Sequence, residues 1–226
     1  MKLLKILSLA VLLQFQADAK ILFDGKDLKE FEFAPRSWEI ENDGSVVCRM
    51  EKTKDKKGNE KVRGMGYLWT KQEYSNFELS LEYKLSSGAN SGIFYRSDKK
   101  NPVNGGFEIQ LMDNVGFQKK AKKILPPRKL NASFYDGVAP SGDYSKPIGQ
   151  WNIAQLTCLG PEVSFRLNGK SAFSINLDDW KQVGKNPDGS TNKFKTALKD
   201  LPRKGRIGFQ NHGQVVWFRN VSIRIL

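Results

Sequence analysis

Alternation of apolar and polar side chains with period two most limits what this chain can fold into. It recurs in "SWEIEN", "SVVCRM", "GYLWT", "NFELSLEYKL", "SGIFYRS", "GFEIQLMD", "WNIAQLTCL", "EVSFRLNG", "SAFSINL", "GRIGFQN" and "QVVWFRNVSIRIL". Successive side chains of a strand point to opposite faces, so each segment offers one apolar row for burial. Gly, Asn, Asp or Pro separates most of these segments. Asp43-Gly44 in "ENDGSV" and Asn168-Gly169 in "RLNGKSA" are hairpin signals. No stretch of twelve or more residues carries a helical stripe, and "LDDWKQV" (177–183) suits one short connecting helix. Short strands with Gly-rich turns imply an all-β fold, a jelly-roll sandwich of two antiparallel sheets. With no repeat and no long polar linker, residues 20–226 are expected to form a single domain.

The last segment breaks its own pattern. Val215, Trp217, Val221, Ile223 and Ile225 share a parity that Arg219 interrupts, while Val216 and Phe218 are apolar on the other side. Such a strand is expected to be central, with either a buried acceptor for Arg219 or a bulge there.

The first nineteen residues read differently. Lys2 and Lys5 precede an apolar run from Ile6 to Leu13, and Ala17-Asp18-Ala19 has the form of a cleavage site. The expectation is a signal peptide over 1–19, too short for a membrane span, and a secreted or periplasmic protein cut near Ala19. No other segment is apolar enough for membrane insertion.

The net charge is +13. Lysines concentrate at 51–63 ("EKTKDKKGNEKVR") and 118–129 ("QKKAKKILPPRK"), which read as solvated loops or as contacts for an acidic polymer. No RNP, zinc-finger or helix-turn-helix pattern accompanies them, so no nucleic-acid partner is expected. Cys48 and Cys158 lie in apolar strand-like runs, and both a disulfide and two buried thiols stay open. One histidine and two distant cysteines argue against zinc. Calcium has no loop signature, and no cofactor is expected.

Chemistry is sought on the polar face of the best strands. In "GGFEIQLMDN" (105–114), Phe107, Ile109 and Leu111 form one row and Glu108, Gln110 and Met112 the other. A Glu–Gln row on such a strand suits the floor of a groove on the outer face of a sheet, or an ordinary solvent face. "SGIFYRS" puts Phe94 and Arg96 on one side. "GRIGFQNHG" puts Gln210 with His212, the only histidine, at a strand end.

Several segments together resemble the family of 3-keto-disaccharide (3-keto-glycoside) hydrolases, formerly domain of unknown function 1080. They are "ILFDGKDL", "YSNFELSLEYKL", "GANSGIFYRS", "GFEIQLMDN", "ASFYDGVAP", "KPIGQWN", "RLNGK" and "GRIGFQNHGQVVWFRNVSIRI". The resemblance implies a concanavalin A-like jelly roll and a carbohydrate substrate. It departs from the family at Gln150, where an acid is usual, and in the basic segment 117–130, which is longer than usual. A 3-keto sugar invites C2 proton abstraction, loss of the aglycone and hydration. On that footing Glu108 and His212 are the expected acid/base pair and Arg96 the partner of the ketone oxygen. Asn90, Gln110, Asp113 and Gln210 would hold hydroxyls. Tyr135 and Trp151 would stack on a ring or pack in the core. A lectin-like binding module is the main alternative. A conventional glucanase ranks lower, because Gln110 stands where its second acid is needed.

Overall fold

The computed structural model describes residues 19–226. The expected signal peptide therefore lies, but for Ala19, outside the described residues. Fifteen strands follow in chain order: β1 (Lys20–Phe23), β2 (Phe31–Glu32), β3 (Trp38–Ile40), β4 (Val46–Cys48), β5 (Met50–Lys54), β6 (Glu60–Gly64), β7 (Leu68–Tyr74), β8 (Phe77–Leu85), β9 (Asn90–Ser97), β10 (Phe107–Met112), β11 (Asn152–Leu159), β12 (Glu162–Leu167), β13 (Lys170–Asn176), β14 (Gly205–Phe209) and β15 (Val216–Ile225). An eight-stranded sheet has the order β13-β12-β11-β8-β15-β4-β3, with β1 also on β15. A five-stranded sheet runs β10-β9-β14-β7-β2, and β5 pairs only with β6. The expected antiparallel sandwich is what forms. Among the described residues no helix is long and apolar enough to cross a membrane.

The alternation in sequence becomes the core directly. Phe77, Leu79, Leu81, Tyr83 and Leu85 of β8 point inward, while Glu78, Ser80, Glu82 and Lys84 face out. From the other sheet Ile93, Phe107, Ile109, Leu111, Ile207 and Phe209 meet them. Burial of each such side chain contributes about 1.5–3 kcal/mol before conformational entropy is counted. The Asn-Gly hairpin is realised between β12 and β13: Leu167 pairs with Lys170, and Asn168 and Gly169 both have positive φ, 51° and 79°. That is the type I′ turn the two residues favour.

β15 resolves its mixed parity by bulging. Its register with β8 shifts between Arg219 and Ser222, and Asn220 takes φ 52°. Val216 and Phe218 are inward before the bulge, Val221 and Ile223 after it. Arg219 stays on the outer face and binds Glu82 with Nε and Nη2 at 3.1 and 2.7 Å.

Three expectations need correction. The lysine run 51–63 is no loop but falls mainly in the β5–β6 hairpin. The run 118–129 begins in a helix, α1 (Asn114–Ala121). The Asp113 carboxylate caps it by accepting from Gly116 N at 3.0 Å, and Lys119 and Lys120 sit in its last turn. At 177–183 only Leu177–Asp179 is helical, as one 3-10 turn. Cys48 and Cys158 are free, buried thiols, pushed by burial up to about 11 and about 12.

Candidate active site

β9 and β10 are buried along their whole length, on both faces. The inner face is core, and on the outer one Asn90, Phe94, Glu108 and Gln110 are each no more than 9% exposed. Residues 131–135 lie along the free edge of β10: Ala132 N donates to Gln110 O (2.8 Å), Gln110 N to Ser133 O (3.1 Å) and Tyr135 N to Glu108 O (3.0 Å). This sets Tyr135 beside Glu108. A second loop packs on the first. The Phe194 ring stacks on Phe134 at 6.0 Å, Asn186 Nδ2 donates to Asp136 O at 3.3 Å, and Arg128 Nη2 to Thr191 O at 3.1 Å. Lys193, next to Phe194, is thereby delivered to the β10 edge.

The result is a buried carboxylate with a cation. Glu108 is 9% exposed, and Lys193 Nζ lies 3.3 Å from its Oε2 and 4.1 Å from the centre of the Tyr135 ring. Gly92 of β9 makes the room: a Cβ there would stand 2.6 Å from Glu108 Oε1. Gly92→Ala should therefore push the carboxyl aside. We expect kcat to fall by at least about tenfold with a much smaller change in thermal midpoint, measured by steady-state kinetics and melting.

Cross-strand register sets the rest of the face. Gln110 pairs with Gly92, which also accepts from Gln210 N at 2.9 Å. Glu108 pairs with Phe94, Phe94 with Gly208, and Gly208 with Trp69. Tyr67 stacks on Phe94 at 5.4 Å and lies 5.6 Å from Trp69, while its hydroxyl accepts from Gln210 Nε2 at 3.1 Å. Glu108, Tyr67 and Tyr135 thus share one wall. Burial raises the Glu108 carboxyl above its ordinary range, and Lys193 opposes the rise. Burial also raises Tyr67 and Tyr135. The Gln210 hydrogen bond opposes the rise at Tyr67, and the Glu108 charge adds to it at both. Asn90 Oδ1 and Gln110 Oε1 are buried acceptors without a hydrogen-bond partner.

Not every expected site residue joins this cluster. Arg96 does not. β9 carries one extra residue against β14 here, and Arg96 takes φ 46°. Its side chain is 1% exposed and donates to Ser75 O (2.8 Å), Gly160 O (2.8 Å) and Asn76 Oδ1 (3.4 Å). It ties the five-stranded sheet to the β11–β12 turn and has no free donor face for a ketone. Arg96→Met should cost about 3 kcal/mol in urea unfolding, because it strands buried carbonyls, and should leave the activity of the folded fraction little changed. Asp113 is occupied as the helix cap and also accepts from Gly88 N at 2.7 Å. Trp151 lies on the outer face of the other sheet, where Arg219 and Lys84 sit 4.1 and 4.8 Å from its ring centre. His212, two residues past Gln210, is exposed, and the carboxylate of Glu108 is paired with Lys193 instead. Glu108, Gln110, Gln210 and Asn90 do share the outer face of the five-stranded sheet, with Tyr135 beside its β10 edge.

Two members of the cluster were missed. Tyr67 was legible, because it shares parity with Trp69 in "GYLWT" and so faces outward opposite Leu68. Lys193 in "STNKFK" sits in a loop without periodicity, and only the packing of Phe194 on Phe134 brings it in. Among the described residues no group of three or more His, Cys, Asp or Glu side chains could hold a metal ion. A pocket of about 440 Å³ lies elsewhere, against Trp180, Glu162 and Asp188, and includes none of these groups.

The sandwich with a polar cluster on its smaller sheet is a jelly roll of the kind seen in glycanases. The catalytic domain of an endo-1,3-beta-glucanase (laminarinase) from Thermotoga petrophila superposes with a TM-score of 0.52 at 12% identity, covering 91% of this chain and 97% of its own, a likeness of fold alone. The 3-keto-alpha-glucoside-1,2-lyase-like domain matches residues 18–224, and the chain belongs to that family. A 3-keto-disaccharide hydrolase of Bacteroides thetaiotaomicron is 30% identical over 241 aligned positions, covering 95% of this chain and 81% of the relative. The crystal structure of a candidate glycosyl hydrolase from Parabacteroides distasonis is 32% identical with a TM-score of 0.78, covering 92% of this chain and 99% of the other.

Proposed function

We propose that this protein is an exported enzyme that cleaves 3-keto-glycosides by elimination and hydration, with Glu108 as the base. The observation that carries this reading is a buried carboxyl of raised pKa on the outer face of the smaller sheet, paired with a cation and flanked by two tyrosines. A ketone at C3 acidifies the hydrogen at C2. Glu108 takes that proton, and the electron pair passes to the C3 oxygen as an enolate. The Lys193 ammonium, released from its pairing as Glu108 becomes neutral, turns to the new negative charge. The enolate then expels the aglycone from C1 with its bonding electrons. Gln210 donates to the Tyr67 oxygen, which leaves the phenol hydrogen free to protonate the departing oxygen. Water then adds to the resulting enone: its hydroxyl joins C1 as the Tyr67 oxygen takes the released proton, and Glu108, its proton exchanged with solvent, protonates C2, so both groups are restored. His212 is exposed and takes no step in this scheme.

The family membership and the 3-keto-disaccharide hydrolase relative support the substrate class. The assay is a comparison of 3-keto disaccharides with the same sugars unoxidised. Only the oxidised set should be cleaved; cleavage of only the unoxidised sugars would overturn the reading, and tight binding without turnover of either would point to a lectin-like module. His212→Ala should cost less than about tenfold in kcat, far less than changes at Glu108. Export predicts that the mature protein from cell-envelope or culture fractions begins at Lys20, which its intact mass tests.

A further inference from the structure

The lysine runs have no part in that chemistry. Residues 118–129 carry six basic side chains and no acid, and residues 51–63 carry six against three. The fold brings both to the same end of the five-stranded sheet. β10 and β14 both run antiparallel to β9, so their C-terminal ends lie together. α1 leaves directly from β10 through Asp113, and the chain then returns along the β10 edge, where Lys129 O accepts from Gln110 Nε2 at 3.4 Å. On the other flank Asn211, just past β14, packs on Gly64 of β6 and donates to Arg49 O at 2.6 Å, so the β5–β6 hairpin rises there.

Between these flanks lie Gln110, Asn90 and Gln210, two of them with unpartnered buried oxygens. Local acids, Glu51, Asp55, Glu60 and Asp136, number four against the twelve basic side chains of the two runs. Asp136, a single charge, faces both Arg128 and Lys129 at 3.2 Å, and Glu51 is already matched by Arg63 at 2.6 Å. A surface on which one sign of charge predominates concentrates ligands of the other sign.

We infer that this end of the groove is a subsite for an anionic aglycone, one that bears a carboxylate. Lys129 and the lysines of 119–123 supply the field, and the free oxygens of Asn90 and Gln110 accept from hydroxyls of the sugar. The inference rests on the 3-keto-glycoside reading and narrows its substrate class.

The test uses two 3-keto-glucosides that differ only in aglycone, phenol against 4-carboxyphenol. Wild-type kcat/KM should favour the carboxylate by about tenfold at low salt, and the preference should vanish near 0.5 M sodium chloride, where charges more than a few ångströms apart are screened. The ratio of the two rates should fall toward one in Lys129→Gln. It should fall likewise in a variant carrying Gln at 119, 120, 122 and 123, whose lysines are all exposed. Equal kcat/KM for the two substrates at low salt would overturn the subsite and leave the chemistry standing. If neither is turned over, the 3-keto reading fails, and calorimetric binding of the unoxidised phenyl and 4-carboxyphenyl glucosides decides the subsite alone. A salt-sensitive preference for the carboxylate supports it; equal or absent binding overturns it.

Discussion

Glu108→Gln is expected to lower kcat on a 3-keto disaccharide by about a thousandfold, within the range for loss of a positioned base, while making the protein more stable at neutral pH. The two effects share one cause. Burial raises the carboxyl of Glu108, so folding favours its neutral form. The stabilising contribution of that form is complete below the pKa of the unfolded side chain and is lost as pH rises through the higher folded value. The ionised form of Glu108 is therefore a cost, only partly offset by Lys193. Gln keeps the shape and removes the charge, so stability should rise by on the order of 1 kcal/mol. The gain should shrink as pH falls and Glu108 becomes neutral in both the folded and the unfolded chain. Melting and kinetics on one sample check both halves. A loss of stability alongside the loss of rate would mean that Glu108 is a structural ion-pair partner.

Lys193→Met should be the second large effect, about a hundredfold in kcat, as for loss of a donor aimed at a developing oxyanion. It also has a signature that simple misfolding lacks. Lys193 holds the Glu108 pKa down against burial. Removing it should move the acidic limb of the kcat/KM profile to higher pH, since more base is then needed to ionise Glu108. Lys193→Arg should recover part of the rate and restore the limb. An unmoved limb in Lys193→Met would show that the 3.3 Å pair does not persist in solution.

The strands were legible because their information is local. Phe77 to Leu85 alternate without a break, and Asn168-Gly169 names its own turn. β15 was half legible: parity showed that something must give near Arg219, and the bulge at Asn220 is what gives. The groove face of β10 could be read from Glu108 and Gln110 for the same reason. What failed did so at positive φ or in loops. Arg96 shares parity with Phe94 on paper, but one extra residue in β9 turns it toward Ser75 and Gly160. Asp113 looked like the end of a strand and is the start of a helix. Lys193 lies 85 residues from Glu108 in sequence. Nothing in its neighbours announces that a phenylalanine stack will carry it there.

The mechanism is tested most directly by the C2 hydrogen of the released sugar. Cleavage of a 3-keto disaccharide in heavy water, stopped early and read by mass spectrometry and NMR, should place one deuterium at C2 of the 3-keto-glucose, in excess of an enzyme-free control. Release of sugar with its original C2 hydrogen intact would mean direct displacement at C1, and Glu108 would not be the base described above.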